Sequence, residues 1–315
     1  MTDVVLKAEK LAKTYRIGFW RKKVVALRDA TWEVRRNEAF GLIGPNGAGK
    51  TTTIKILTGL VSPDAGQGWM LGQAIGTVSA RQSLGYLPEG PYFYEYLNVR
   101  ELLDYYGALF GMSKSVRQKR AEELIELVGL SHAVDRPLRK FSKGMLQRAG
   151  LAQALIHDPE LVILDEPKTG LDPIGRAQVD QIIEKLRADG KSVCFASHIL
   201  PDVERVCDRV ALMIGGRVRG VGPIDELLNA RVLSIEVVAA GLGDERQAEA
   251  EWMGLGWRRL NAEQVVLTGD GPAQGQEALA WVLKAGGAVR GYEERREHLE
   301  DLFLRMATAP QEGEA

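Results

Sequence analysis

Two short stretches of this 315-residue chain hold residue types that act on phosphates. Residues 44–51 read GPNGAGKT, the spacing glycine, four residues, glycine, lysine, threonine. The glycines let the backbone from Gly44 through Pro45, Asn46, Gly47, Ala48 and Gly49 turn its N–H groups inward around phosphate oxygens. Lys50 would reach the β and γ oxygens, the Thr51 hydroxyl would hold Mg2+, and Thr52 would extend the phosphate contacts. Residues 161–167 read LVILDEP. Asp165 ends the apolar run, placed to bind Mg2+ through water, and Glu166 is placed to polarise an attacking water. Taken singly, the first motif could be a glycine-rich turn with a solvated lysine, and the second a turn cap. Together they point to a nucleoside triphosphate site, and two adjacent acids favour hydrolysis of the γ-phosphate over its transfer to an acceptor.

The elements that must position these residues are legible in the hydrophobic pattern. AFGLIG (39–44) is a short apolar strand running into the glycine-rich turn, and TTTIKILTGL continues as a helix. LVILDEP lacks alternation, as a strand covered on both faces does. Strands are expected at 4–8, 24–34 and 191–198, helices at 98–110, 115–129, 141–157, 174–189 and 200–206, and a hairpin at RVALMIGGRVRG. This alternation argues for an α/β domain over residues 1–228. From 229 to 308 the order reads strand, helix, strand, strand, helix, strand and a last helix, a small α+β domain of ferredoxin-like type. Residues 309–315 read as a disordered tail.

Composition narrows the class. The chain is 45% hydrophobic and 26% charged, an ordinary globular balance. With 41 Lys and Arg against 42 Asp and Glu, it has no basic field pointing to nucleic acid. The start of the sequence lacks the apolar core of a signal peptide, and no run of about 18 apolar residues suggests a membrane span. Cys194 and Cys207 fit no metal spacing and read as reduced core residues of a cytosolic protein.

The phosphate loop, FSKGM (141–145), LDEP (164–167), TGLD (169–172) and SH (197–198) stand in the order and rough spacing of the ATP-binding cassette (ABC) ATPases. The chain resembles that family over about residues 4–228. The resemblance implies a P-loop NTPase fold with an antiparallel β subdomain, a parallel-sheet core and a helical subdomain. It implies a dimer with ATP and Mg2+ sandwiched between the phosphate loop of one copy and the signature helix of the other. In that arrangement Ser142, Lys143, Gly144 and Met145 form the signature acting in trans, although only Ser142 and Gly144 match the usual Leu-Ser-Gly-Gly-Gln. Ser142 also suits an N-cap. Tyr15 matches the aromatic that stacks on adenine. His198 matches the switch histidine, catalytic together with Glu166, and Asp172 matches the D-loop aspartate, a position that equally suits helix N-capping.

Departures and partners complete the expectation. Glu89, in GYLPEG, stands where the family usually has Gln, adding a charge to a side chain that faces Mg2+ or water. Lys168 replaces a common Thr or Ser after LDEP and has no functional account from sequence. The aromatic run PYFYEYLNVRELLDYYG (91–107) divides between core packing and an interface, and the resemblance places a membrane-permease contact over about Glu89–Tyr106. The loop RIGFWRKK (16–23) reads as a hairpin tip with Phe19 and Trp20 folded inward, or as a surface facing lipid headgroups or the membrane partner. The ending HLEDLFLRM resembles bacterial ATPases paired with ABC-2-type permeases, many of them exporters. The expected protein is thus the ATPase subunit of such a transporter, cytoplasmic and peripheral on the inner face of the cell membrane. Rivals are a soluble ABC ATPase with a non-transport role, which usually carries tandem cassettes or long coiled coils, a phosphoryl-transfer enzyme, and a regulatory dimer that barely turns over.

Overall fold

Three strands buried at every residue form the centre of the first unit: Ala39–Ile43, Leu161–Asp165 and Ser192–Ser197. Complete burial follows from parallel pairing with helices on both faces. The computed structural model describes residues 3–18, 22–228 and 232–308. The expectations for Phe19 and Trp20, and for a tail at 309–315, lie outside these described residues. The chain divides into two compact units after Ile224, ahead of the boundary read at 228.

The central sheet of the first unit has six strands in the order Arg217–Pro223, Arg209–Ile214, Ala39–Ile43, Ser192–Ser197, Leu161–Asp165, Leu84–Leu87. All neighbours pair in parallel except the antiparallel edge strand Arg217–Pro223. The register sets Ile43 beside Ser197 and Asp165 beside Ala196, so three strand ends line up at one edge. Open parallel sheets bind ligands at that carboxyl edge.

A second, antiparallel sheet runs Lys22–Arg35, Val4–Ile17, Ala65–Met70, Gln73–Ala74. Its first strand extends well past the expected 4–8. Irregular register between Ala8 and Leu11, Leu11 and Lys13, and Lys13 and Thr14 breaks the alternation that sequence reading depends on. One hydrophobic core joins the two sheets, with Trp32 stacked on Phe40 at 5.2 Å between ring centroids. Arg209 lies over the same Phe40 ring and pairs with Glu38 at 3.0 Å.

Helices Val99–Leu109, Lys114–Leu127 and Lys143–Leu155 supply the helical part of this unit. The first begins with a complete capping box between Asn98 and Glu101. In the preceding loop Phe93 is buried, while Tyr92, Tyr94 and Tyr96 face outward, so core packing and surface display share the aromatic run. Cys194 is buried, and burial pushes both thiols well above their ordinary range, as inert core cysteines require.

The second unit orders its strands Gly256–Arg259, Gln264–Gly269, Val232–Ala240, Ala288–Arg296, all antiparallel, with helices Gln247–Trp252 and Pro272–Lys284 between them in sequence. Strand–helix–strand–strand–helix–strand with the first and third strands central is the ferredoxin-like arrangement. Ile235, Val237 and Ala239 alternate inward from the central strand against Ala278 and Val282 of the longer helix.

Phe195 is a fully buried, large side chain in the middle of the parallel sheet. Phe195→Ala should lower the unfolding free energy by about 3–5 kcal/mol. Urea denaturation followed by circular dichroism checks the value.

Candidate nucleotide site

The phosphate loop is built where Ala39–Ile43 ends, and two of its glycines have no substitute. A Cβ on Gly44 would lie 2.3 Å from the Met213 carbonyl oxygen, and one on Gly49 would lie 2.6 Å from that of Ala26. Gly49 also holds φ +104°, outside the range of other residues, and from it the helix Lys50–Leu57 starts. The first-turn N–H groups of that helix are free to meet phosphate.

Lys50 is buried, with its ammonium folded back across the loop. Nζ donates to the Gly44 oxygen at 2.7 Å and the Pro45 oxygen at 3.2 Å, and lies 3.4 Å from Oε1 of Glu166. The other oxygen of Glu166, Oε2, accepts from Nδ1 of His198 at 2.8 Å. A carboxylate can only accept, so the shared proton is on Nδ1. Lysine, carboxylate and imidazole thus form one polar chain over the sheet edge. Glu166 holds φ +50°, unusual for a residue with a side chain.

Asp165 lies beneath this chain. The Thr51 hydroxyl donates to its Oδ1 at 3.2 Å. Burial pushes the Asp165 carboxyl up to about 6, the charges of Glu166 and Glu89 add to the rise, and the Thr51 hydrogen bond and Lys50 oppose it. A hydroxyl and a carboxylate 3.2 Å apart are oxygen donors that suit a divalent cation that keeps most of its water. No cluster of three or more His, Cys, Asp or Glu with metal-holding geometry occurs among the described residues. That donor set suits Mg2+, which leans on substrate phosphates for its remaining ligands.

These groups open into one cavity of about 600 Å³. Tyr15, Pro45, Asn46, Gly47, Ala48, Gly49, Lys50, Thr51, Thr52, Glu89, Glu166 and His198 all line it. The expected phosphate-loop residues from Pro45 onward, both catalytic positions, Glu89 and the aromatic are therefore brought together, while Gly44 and Asp165 do not line the cavity. Sequence reading missed Val24, Val25, Ala26 and Thr169, which line the same cavity. Val24 pairs directly with Tyr15 across the antiparallel sheet, so an apolar wall flanks the ring. No local signal in the sequence announced the valines, because their link to the site is the cross-strand partner Tyr15.

The signature residues sit elsewhere. Ser142, Lys143 and Gly144 line a separate depression of about 460 Å³ with Gly170, Leu171 and Asp172, and no residue lines both. Ser142 caps the helix Lys143–Leu155, its Oγ accepting the Met145 N–H at 3.2 Å. Asp172 caps the helix Pro173–Ala188, its Oδ1 accepting the Gly175 N–H at 2.7 Å. Leu171 approaches Gly144 so closely that a Cβ there would stand 3.1 Å from its Cδ2. Lys143 lies over Gly170, where its aliphatic stem fills the space of a side chain.

The sequence pattern of the ABC transporter family matches residues 27–169. An ABC transporter ATP-binding protein of Synechocystis is 43% identical over 96% of this chain and 84% of its own length. The Nod factor export ATP-binding protein I of Cupriavidus pinatubonensis is 33% identical over 96% of this chain and 90% of its own. A solved structure of an ATP-binding subunit of an ABC transporter superposes with a TM-score of 0.65 at 32% identity, covering 71% of this chain and 92% of that one. With the phosphate loop, its facing acids and the imidazole gathered at the carboxyl edge of a parallel sheet, this chain belongs to the ABC transporter family, as an ATP-binding and ATP-hydrolysing subunit.

Proposed function

We propose that the chain powers export through separate membrane-spanning permease subunits of ABC-2 type, working as a dimer at the cytoplasmic face of the cell membrane. The observation that carries the dimer is the separation of the two surfaces: the signature face does not line the chain's own nucleotide cavity. A phosphate bound by Lys50 in one copy would meet Ser142, Lys143 and Gly144 only from a second copy. Export is supported by the relative named for Nod factor export. A separate permease is consistent with the absence, among the described residues, of a helix long and apolar enough to cross a membrane. The outward tyrosines of 91–107 form the expected contact with it; Tyr92 is 87% and Tyr96 70% exposed.

Within one site, Tyr15 would stack on adenine against the Val24 and Val25 wall. Lys50 would exchange the carbonyls of its own loop for the β and γ oxygens, which frees Oε1 of Glu166. That carboxylate would then accept a proton from water as its oxygen attacks the γ-phosphorus and the bond to the β-bridging oxygen breaks, giving ADP and phosphate. His198, donating to Oε2, would hold the carboxylate in line. Thr51 and Asp165, joined by Glu89 across the cavity, would hold Mg2+, and the ion would supply positive charge against that developing on the phosphates.

Glu166→Gln should lower turnover by about 100-fold or more while keeping ATP binding. Mg-ATP should double the solution mass of this variant, and Ser142→Arg in the same background should prevent the doubling. An unchanged monomer that still binds ATP would refute the dimer on its own chain. Glu89→Gln removes one acid and should raise the Mg2+ concentration needed for half-maximal turnover several-fold.

The Asp165 shift has a sign that a melting series can read. Its folded carboxyl keeps a proton up to about pH 6, whereas an unfolded aspartate loses it near pH 4. The stability this confers is fully present below about pH 4 and is lost as the pH rises through about 6. In the metal-free protein, Asp165→Asn should therefore raise Tm at neutral pH, with the advantage vanishing toward pH 4. Scanning calorimetry across that range tests the direction.

A further inference from the structure

The helix and loop that follow Glu166 and His198 are joined by a buried charge network that the reaction scheme leaves unused. Lys168, two positions after Glu166, is only 4% exposed. Its ammonium pairs with the Oδ1 of Asp180 and lies 3.5 Å from the Oδ1 of Asp202, and it donates to the Asp202 backbone oxygen at 3.4 Å. Both acids are buried. From the solvent side, Arg205 reaches Asp180 Oδ2 at 2.7 Å and Asp202 Oδ1 at 3.1 Å. Two cations and two anions alternate, so the cluster is neutral and each charge has an opposite neighbour.

The placement of the four residues matters more than their number. Asp180 belongs to the helix Pro173–Ala188, which Asp172 caps, and Asp202 to the short helix Leu200–Glu204, which begins just after His198. Lys168 therefore ties the turn that carries Glu166 to the segment that carries His198 and to the helix that carries the D-loop. The Glu166–His198 hydrogen bond spans the first two of these segments as well. Two bridges between the same two short stretches fix the carboxylate and the imidazole against each other more firmly than either alone.

A second observation agrees. Glu166 is held at φ +50°, a conformation that persists only where the surroundings over-determine it. Its backbone N–H donates to the Ala196 oxygen at 3.1 Å, its carbonyl accepts from the Thr169 N–H at 3.1 Å, and the Lys168 carbonyl accepts from Leu171 at 3.2 Å; the Lys168 side chain, two positions on, fastens the same turn to Asp180 and Asp202. A threonine or serine could not reach Asp180 or carry the compensating charge.

We propose that Lys168 is a positioning residue for hydrolysis: with Asp180, Asp202 and Arg205 it forms a clamp that holds Glu166 in its left-handed conformation and in register with His198. The proposal rests on the assignment of Glu166 and His198 to the chemical step. A residue that only positions the base should affect kcat and spare ATP binding.

The test uses the full-length chain and Mg-ATP turnover. Lys168→Met alone leaves two buried carboxylates sharing the one cation Arg205 and threatens folding, so the informative variant is Lys168→Met/Asp180→Asn/Asp202→Asn, in which no buried charge is left unpaired. This variant should fold and bind ATP as the parent does, with KM within about threefold and kcat lowered about 10- to 100-fold. Lys168→Arg, which keeps a cation in reach of both acids, should recover most of kcat. A folded triple variant with parental kcat would overturn the proposal and leave the cluster a folding device. A loss confined to KM would overturn it too, by placing the effect on binding. Glu166→Gln is run in parallel: if it kept parental turnover, the assignment of the base would fall first, and the clamp with it.

Discussion

Everything in the nucleotide site depends on one constraint, the in-register parallel pairing of three fully buried strands. Because Ile43, Asp165 and Ser197 end at the same edge, the residues that follow each strand are delivered to one place without any long connection having to aim them. Lys50, Glu166 and His198 are far apart in the chain and within hydrogen-bonding or ion-pair reach in space. The sheet supplies the proximity, and the local turns supply only direction.

That division of labour explains what could be read from sequence. GPNGAGKT and LDEP are local, and their chemistry is written in consecutive residues. Ala39–Ile43 and Leu161–Asp165 were legible because strands covered on both faces have an unbroken apolar composition. Ala65–Met70 and Leu84–Leu87 were not. The first is rich in glycine and the second is four residues long, so each is a strand only because a neighbour pairs with it. The bulged second half of Val4–Ile17 was lost for a related reason, since each irregularity reverses the face on which the apolar residues fall. Cavity-lining Val24 and Val25 belong to the site through a cross-strand partner, Tyr15, and no local pattern carries that information.

Lys168 is the instructive case. In sequence it was a departure from the family without a reason. In space it is a buried cation between two acids contributed by helices further along the chain, and an uncompensated charge there would be intolerable. The three residues that make sense of one another, Lys168, Asp180 and Asp202, share no local motif. The two caps, Ser142 and Asp172, show the opposite situation: the N-capping role that each suits in the sequence is visible in the structure.

The helix that Ser142 caps has a mechanical property of its own. It is roughly 20 Å long at 1.5 Å per residue, and its far end is fastened to the strand that feeds Glu89. His157, just beyond the helix, donates through Nε2 to the Leu84 oxygen at 3.1 Å and stacks on Phe110 at 3.7 Å. Along the way Gly85 comes so near that a Cβ would stand 2.4 Å from the Ala154 oxygen, and one on Gly150 would stand 2.7 Å from Leu87 and 3.2 Å from Pro91. Close-packed interiors barely compress. Any side chain that stood in for Gly85 or Gly150 would therefore have to move either the helix that Ser142 caps or the strand and loop that lead to Glu89.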